Sequence, residues 1–477
     1  MATLVKLAAI AHTVTAVTFT VPPQAHTGSY KYASAEPAPV GVSFEFFTFP
    51  SYFTNVTATT QCLSNWKDLT GIWPPIRIGG TTQDRAQYDA TTSAYVVYTV
   101  SDPADAPANL TFGPSFMTLA GKYGGSIVVG LNRGKDNIQN TMDAAKVAVS
   151  EVRNLLAIEL GNEPEYYPSD GQPIASDSWN PTIDAASQND WDVAIGSALN
   201  QQDIIQAGNS NNAPPQWGAA ELISTENATV KQYIHDYAHH NYPGGTVASL
   251  MSHSDISSNL HVFDSDIAAA LKVGKEYVFG ETNSVSGGGA ATVSPTFGAA
   301  LWTMDYAVRA TYSNISRTYF HHGTIGNCQY CFWGRYDMGA PYYGAFAATA
   351  FMANANSLTA LDDGTSNYAT YVAFDSNGEP LRVLLYNSDY FGGSGTRSSQ
   401  AFELEGLKGT SVRAKRLTGD SAVARVDQGG RVTFGGQTFT NGDCRISGSE
   451  TFETIAISDG RVAVSLQASE ALLVYLQ

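Results

Sequence analysis

The chain has few charged residues, and basic residues are the scarcer kind. Only 14% of its 477 residues are charged, and 26 Lys and Arg stand against 43 Asp and Glu, which gives a formal net charge of −17. This balance excludes nucleic acid as a partner, because a polyanion would be repelled and no basic stripe compensates. The sequence also lacks any run of 18 apolar residues, so no segment is expected to span a membrane.

Cysteine is scarce as well, with four residues in the whole chain. The cysteines are Cys62, Cys328, Cys331 and Cys444. Four N-glycosylation sequons begin at Asn55, Asn109, Asn227 and Asn314. An even number of cysteines together with these sequons predicts a secreted, glycosylated protein. Four cysteines allow three disulfide connectivities, and all three stay open.

The cysteine pair in residues 328–331 (Cys-Gln-Tyr-Cys) has the spacing of a redox motif. The thioredoxin-type context, a cysteine pair that opens a helix near the N-terminus, is missing. We therefore expect a structural disulfide in a loop. At the N-terminus, residues 1–16 resemble a weak secretion signal, with one lysine, Lys6, and a short apolar patch at 7–11. The alternatives are an added leader or the start of the mature chain.

Strand and helix patterns alternate along most of the chain and predict a (β/α)8 barrel followed by a second domain. The eight strand candidates are residues 40–44, 76–80, 126–130, 156–160, 217–220, 237–240, 276–279 and 317–320. After about residue 356, short β-rich runs separated by Gly, Asp and Ser predict an antiparallel β-sandwich. We assign residues 26–355 to the barrel and 356–477 to the sandwich, with 17–25 as an N-terminal strand that joins the β-domain.

Two acidic tetrads follow predicted strands four and seven. They are residues 161–164 (Gly-Asn-Glu-Pro) and 279–282 (Phe-Gly-Glu-Thr). Two carboxylates at the ends of different barrel strands face one cleft, and such a pair can break a glycosidic bond. The alternative is that Glu163 is a structural carboxylate at the N-terminus of a helix, where it interacts favourably with the helix dipole, with Pro164 in the first turn. The sequence therefore predicts a glycoside-cleaving site built from Glu163 and Glu281.

Several stretches extend this likeness to a known enzyme family. They are residues 42–47 (Val-Ser-Phe-Glu-Phe-Phe), 76–80 (Ile-Arg-Ile-Gly-Gly), 161–164, and 319–321 (Tyr-Phe-His) with Gly323 following. In these stretches the chain resembles the clan A retaining glycoside hydrolases, and more closely family 79, the β-glucuronidases and heparanase-like enzymes. The resemblance covers essentially the whole chain, including the trailing β-domain. It implies a secreted retaining exo-β-glucuronidase that removes terminal glucuronic acid, or its 4-O-methyl form, from a glycan.

The resemblance implies that Glu163 is the general acid/base and that Glu281 is the nucleophile. The acid needs a raised pKa, from partial burial and its carboxylate neighbour, while the nucleophile must stay ionised beside hydrogen-bond donors. We expect Tyr242, just past strand six, to be one such donor. Asn162 is expected to donate to the sugar 2-hydroxyl, and Glu45 to accept from sugar hydroxyls. The alternatives are a turn-forming asparagine and a surface acid.

The substrate carboxylate also needs donors. By resemblance, we expect Tyr330, after strand eight, to bind it, while the charged alternatives are Arg77 and Arg335. The family has a further tyrosine in the loop after the nucleophile, and residues 284–287 (Ser-Val-Ser-Gly) lack it. No cofactor is expected.

Two pairs of adjacent histidines, at 239–240 and 321–322, are candidate metal ligands. Neighbours on a strand point to opposite faces, so each pair offers one inward ligand at most, and we expect no metal site. Alternative functions are a heparanase-like endo-β-glucuronidase, a neutral-sugar β-glycosidase and an inactive carbohydrate-binding protein. The sequence leaves the oligomeric state open.

Overall fold

The structure, a computed structural model, describes residues 16–476, and its larger domain is a closed barrel of eight parallel strands. The barrel strands, numbered one to eight in chain order, are Val40–Glu45, Ile76–Gly79, Ile127–Leu131, Leu155–Leu160, Ile205–Ser210, Ile234–Asn241, Glu276–Thr282 and Thr318–His322. Strand eight pairs with strand one and closes the barrel. The predicted (β/α)8 architecture is confirmed. The expected signal or leader falls almost entirely outside the described residues.

Helices surround this barrel, as expected for strands buried on both faces. The α-helices are Phe49–Asn55, Ala58–Thr70, Pro114–Ala120, Ile138–Glu151, Pro181–Leu199, Ala219–Thr225, Ala228–Lys231, Val247–Met251, His253–His261, Asp264–Lys272, Phe297–Tyr312 and Pro341–Met352. Every residue of Pro341–Met352 is buried, which agrees with a sequence that is apolar on all sides. Among residues 16–476, no helix combines the length and apolar character needed to cross a bilayer.

The fifth barrel strand differs from the prediction. It is Ile205–Ser210, whose buried glutamine and asparagine interrupt the apolar pattern that marks the other strands. The helix before this strand, Pro181–Leu199, ends where Asn200 adopts a left-handed conformation with φ of 51°. Residues 217–220, expected to be the strand, instead lead into helix Ala219–Thr225. There the Asp266 carboxylate accepts hydrogen bonds from the first two N–H groups of the helix.

The second domain is a β-sandwich, also as predicted. One sheet has the strand order Val432–Phe434, Ser411–Gly419, Glu470–Tyr475, Pro380–Asn387, Tyr368–Phe374, Ser357–Ala360 and Ala33–Ser34, with Glu453–Ala456 pairing beside Ser411–Gly419. The other sheet consists of Val17–Thr20, Ser399–Glu405 and Val462–Gln467. Apolar side chains from the facing sides of both sheets, such as Val383, Phe402 and Leu472, form one core. Three-residue strands Ala86–Tyr88, Val96–Tyr98 and Leu110–Phe112 make a small sheet outside the barrel.

Two features join the domains. A disulfide links Cys62, on a barrel helix, to Cys444 in the β-domain, and both cysteines are fully buried. The other disulfide joins Cys328 to Cys331 in the loop after strand eight. In addition, Ala33–Ser34 pairs with Ser357–Ala360 of the large β-domain sheet. The expected barrel start at residue 26 is therefore too early, because the chain completes this pairing before it enters strand one.

Candidate active site

Side chains from the C-terminal ends of six barrel strands meet in one pocket, at the end where TIM-barrel enzymes place their active sites. The pocket residues are Glu45, Arg77, Glu163, His240, Glu281 and His321. All except Glu163 are buried, and 15% of the Glu163 side chain is exposed. The structure thus brings together Glu163 and Glu281, which are 118 residues apart, from 281 − 163.

Arg77, on strand two, is the centre of the pocket's hydrogen-bond network. Its Nε and Nη2 donate to the two oxygens of Glu159 at 2.7 and 2.5 Å, and Nη1 donates to Glu281 Oε2 at 2.5 Å. The remaining N–H groups reach Ser43 Oγ at 3.0 Å and Asn162 Oδ1 at 2.8 Å. All five N–H donors of the guanidinium are therefore used within the protein. Arg77 positions the pocket residues and has no donor left for a substrate carboxylate.

Glu281 is held in its ionised form. Besides Arg77 at Oε2, the Tyr242 hydroxyl donates to Oε1 at 2.5 Å, and His321 Nδ1 lies 3.4 Å from Oε2. Burial alone would raise the Glu281 pKa, but the neighbouring His321 and Arg77 and the Tyr242 hydrogen bond outweigh it, and the pKa lies well below its usual range. A buried carboxylate with these partners stays charged, which is the state that a nucleophilic role requires.

Glu163 has the opposite character. Burial, followed by the negative charge of Glu281, raises its pKa to about 8. His240 Nδ1 lies 3.0 Å from Glu163 Oε1, and burial lowers the His240 pKa to about 4, so the imidazole is neutral at pH 7. Two carboxyl groups whose environments push their pKa values apart are the arrangement expected of an acid and a nucleophile.

The turn that carries Glu163 is strained and tightly braced. Glu163 itself has φ of 50°, in the left-handed region that side chains other than glycine rarely adopt. Gly161, two residues earlier, has φ of 81°, and a Cβ there would lie 2.1 Å from the Tyr167 hydroxyl. The buried Asp84 carboxylate accepts from the Asn162 N–H at 2.7 Å and from the Tyr167 hydroxyl at 2.9 Å. Asp84 therefore fixes the backbone immediately before Glu163.

The two carboxyl groups are close enough to act on one sugar. One oxygen of each, together with a His240 ring nitrogen, lie within 4.8 Å of one another. This trio has the composition of a metal site, but both Glu281 oxygens already accept hydrogen bonds from Arg77 and Tyr242. The two carboxyl groups are therefore near enough to contact the same sugar ring, as the paired acids of glycosidases do.

The other sequence-predicted residues lie around this pair. Glu45 accepts hydrogen bonds from the N–H and the hydroxyl of Thr82, and its other oxygen lies 3.4 Å from His321 Nε2. The Asn162 amide is oriented by Arg77, which bonds Oδ1 and leaves Nδ2 as the donor. Tyr330 is 3% exposed, and its ring centroid lies 6.2 Å from those of both Tyr242 and His321.

A larger cleft of about 630 Å³ opens beside this pocket. Its walls come from the segment after strand one, the loop at 98–103, the loop after strand eight and a β-domain loop that carries Arg425. Cys328, Gln329 and Cys331, the neighbours of Tyr330, line the cleft. Arg335 also lines it and is exposed, so it can reach a ligand in the cleft, unlike Arg77 in the inner pocket, whose donors are all used.

Three positioning residues in the pocket were not expected from the sequence. His240 contacts Glu163, and His321 bridges Glu45 and Glu281, where the two carboxylates outweigh burial and raise the His321 pKa. Both follow from the alternation already noted, since one histidine of each pair points inward, but the sequence does not identify its partner. Asp84, the third, lies in a short 3-10 helix after strand two, and no motif marks it.

Comparisons with known proteins agree with this geometry. The family description "Glycosyl hydrolase family 79 C-terminal beta domain" matches residues 368–473. A protein of Aspergillus niger named beta-glucuronidase is 28% identical over 508 residues, covering 92% of this chain and 90% of that protein. A second beta-glucuronidase, from Neurospora crassa, is 30% identical over 366 residues, covering 66% of this chain and 63% of that protein.

Solved structures extend the match to the whole chain. The 4-O-alpha-L-rhamnosyl-beta-D-glucuronidase of Fusarium oxysporum 12S, determined as a Rha-GlcA complex, is 50% identical and covers 96% of this chain and 100% of its own, with a TM-score of 0.93. An alpha-L-arabinofuranosidase of Thermotoga maritima is 12% identical and covers 96% of this chain and 99% of its own, with a TM-score of 0.67, which shows a shared fold alone. The chain therefore belongs to glycoside hydrolase family 79.

Proposed function

We propose that this protein is a retaining exo-β-glucuronidase with Glu281 as nucleophile and Glu163 as general acid/base. The observation that carries the proposal is the pair of facing carboxyl groups with opposite pKa shifts, in a chain related over most of its length to two named beta-glucuronidases. The net charge of −17 favours exo action on a terminal residue over binding of a long polyanion. A secreted protein is consistent with two disulfides, and we propose that location.

The reaction proceeds in two displacements. Glu281 attacks the anomeric carbon while the protonated Glu163 gives its proton to the departing oxygen, which leaves a glycosyl ester on Glu281. Glu163, now a carboxylate, then takes a proton from water, and the resulting hydroxide equivalent releases the sugar with its original configuration. Arg77 and Tyr242 stabilise the Glu281 carboxylate before the attack and again as it departs.

The pH dependence of turnover tests the role of Glu163. Because its protonated form is the active acid and its pKa is about 8, kcat/KM should be level near neutral pH. Above pH 8 it should fall about tenfold per pH unit as Glu163 ionises. The measurement is kcat/KM for an aryl glucuronide with a poor leaving group. An aryl glucuronide with a very good leaving group needs little acid assistance and serves as the control. Its kcat/KM should fall less steeply above pH 8.

A second candidate function is the release of a glucuronide that carries a further sugar on its 4-hydroxyl. The acid Glu163, in the turn after strand four, faces the leaving group, so the far end of the sugar ring points across the barrel toward strands eight and one. The cleft of about 630 Å³ opens on that side, and its volume suits a further sugar residue. The 50% identical Fusarium oxysporum enzyme is named for a 4-O-rhamnosyl glucuronide, which supports this candidate.

A panel of aryl β-glycosides separates these functions. We expect the glucuronide to exceed the glucoside and the xyloside in kcat/KM, since a site built for a polar group rejects analogues that lack it. The aryl 4-O-α-L-rhamnosyl-β-D-glucuronide should exceed the plain glucuronide if the cleft binds the extra sugar. A clear preference for the glucoside would contradict the glucuronidase assignment.

The variant Tyr336→Ala tests whether the cleft binds the further sugar. Tyr336 lines the cleft and is 73% exposed, so its loss should leave the fold intact. Stacking of an aromatic ring on a sugar should make this variant selectively weaker on the rhamnosylated substrate, with the plain glucuronide little changed. Equal losses on both substrates would argue against a separate sugar position in the cleft.

A further inference from the structure

The loop at 323–339, after strand eight, forms the wall between the catalytic pocket and the cleft. On one side Tyr330 packs against Tyr242 and His321, the residues that contact Glu281. On the other side Cys328 and Cys331 line the cleft. A single four-residue segment, closed by its own disulfide, therefore has one side chain beside the reacting groups and both cysteines on the cleft side.

The rest of the loop is held by packing, with Phe332, Trp333 and Met338 fully buried, while residues 328–331 make few backbone hydrogen bonds. Except for one isolated bridge between Trp333 and Met338, residues 323–339 form no regular strand or helix. Two backbone N–H groups near this disulfide donate hydrogen bonds. Gln329 N–H donates to Gly288 O, in the loop after strand seven, at 2.6 Å, and Phe332 N–H donates to His322 Nε2 at 3.0 Å. The disulfide constrains Tyr330 in addition to the packing of its buried ring, because it closes the backbone on both sides of that residue.

We propose that the Cys328–Cys331 disulfide positions Tyr330 in the catalytic pocket and that its reduction by a dithiol reversibly lowers turnover. A reagent thiolate attacks one sulfur and forms a mixed disulfide, which the second reagent thiol resolves. The reagent is oxidised to its own disulfide and supplies two electrons and two protons, which leaves Cys328 and Cys331 as thiols. Cys328 is partly exposed, while Cys62 and Cys444 are fully buried, so the reduction is selective.

The test treats the full-length enzyme with dithiothreitol without denaturant and locates the reduced cysteines by alkylation and mass spectrometry. On the best substrate of the aryl glycoside panel, KM should rise and kcat/KM should fall roughly tenfold, the effect of one lost hydrogen bond. The unfolding temperature should change little, and reoxidation should restore activity. Because the readout uses whichever glycoside is best, failure of the glucuronidase assignment leaves this test intact.

Three variants separate positioning from general damage. The double variant Cys328→Ser with Cys331→Ser should show the same loss and no response to dithiothreitol. Tyr330→Ala should also lose its response, because effects that pass through one residue do not add. Cys62→Ser with Cys444→Ser should keep the response, and if this variant does not fold, the alkylation map of the native enzyme makes the same distinction.

Three outcomes would overturn the proposal. One is selective reduction of Cys328–Cys331 with unchanged kcat/KM. Another is a dithiothreitol response that persists in Tyr330→Ala. The third is resistance of this disulfide to reduction in the folded protein.

Discussion

Replacing Glu281 by alanine should lower kcat by on the order of 10⁴-fold or more, because the nucleophile of a covalent mechanism has no substitute. The cavity left by the side chain should admit azide. Azide would attack the anomeric carbon from the face that Glu281 uses and would yield the α-glycosyl azide, with inverted configuration. The measurement is turnover of an activated aryl glycoside with and without azide, with the product's stereochemistry determined by NMR.

Strand seven offers a matched control for this variant. Glu276 lies at the opposite end of the same strand and pairs with Arg317, away from the pocket. Glu276→Gln should therefore keep its activity, since residues at that end of a barrel strand serve stability. If Glu281→Ala retained activity close to the native level, or responded to azide with the β-glycosyl azide, the nucleophile would have to be another residue.

Replacing Glu163 by alanine should lower turnover by about 10²- to 10⁴-fold on substrates with poor leaving groups, the usual contribution of a positioned general acid. Substrates with very good leaving groups should lose much less in their first step, because they depart without a proton. Azide should then accelerate release of the intermediate and give the β-glycosyl azide, with retained configuration. A plot of kcat/KM against leaving-group pKa measures the effect and should be steeper than for the native enzyme.

Glu165 is the natural control for Glu163. It lies two residues further along, burial raises its pKa to about 8 as well, and it accepts hydrogen bonds from Asn211 and Asn212. Glu165→Gln should therefore keep the leaving-group dependence of the native enzyme and should not respond to azide. The assignment would be wrong if Glu165→Gln, and not Glu163→Ala, steepened that dependence.

The barrel and its two acids were predictable because they depend on local patterns. Apolar runs followed by a polar turn mark barrel strands, and the carboxyl ends of parallel strands meet at one face of the barrel. Glu163 and Glu281 could therefore be placed together without coordinates. Strand five was missed for a local reason too, since the buried Gln206 and Asn209 imitate a surface segment.

The sequence by itself determined the architecture, and it placed Glu163 and Glu281 at the same end of the barrel. The resemblance already implied which acid is protonated, but only the tertiary structure showed the physical cause, because the pKa of each acid depends on partners far along the chain. Arg77 meets Glu281 across 204 residues, and His240 meets Glu163 across 77. It also decided that Arg77 has no donor left for a substrate, and that Tyr330 stands between pocket and cleft. Such contacts depend on how loops from different strands pack, and residue spacing along one strand does not encode that packing.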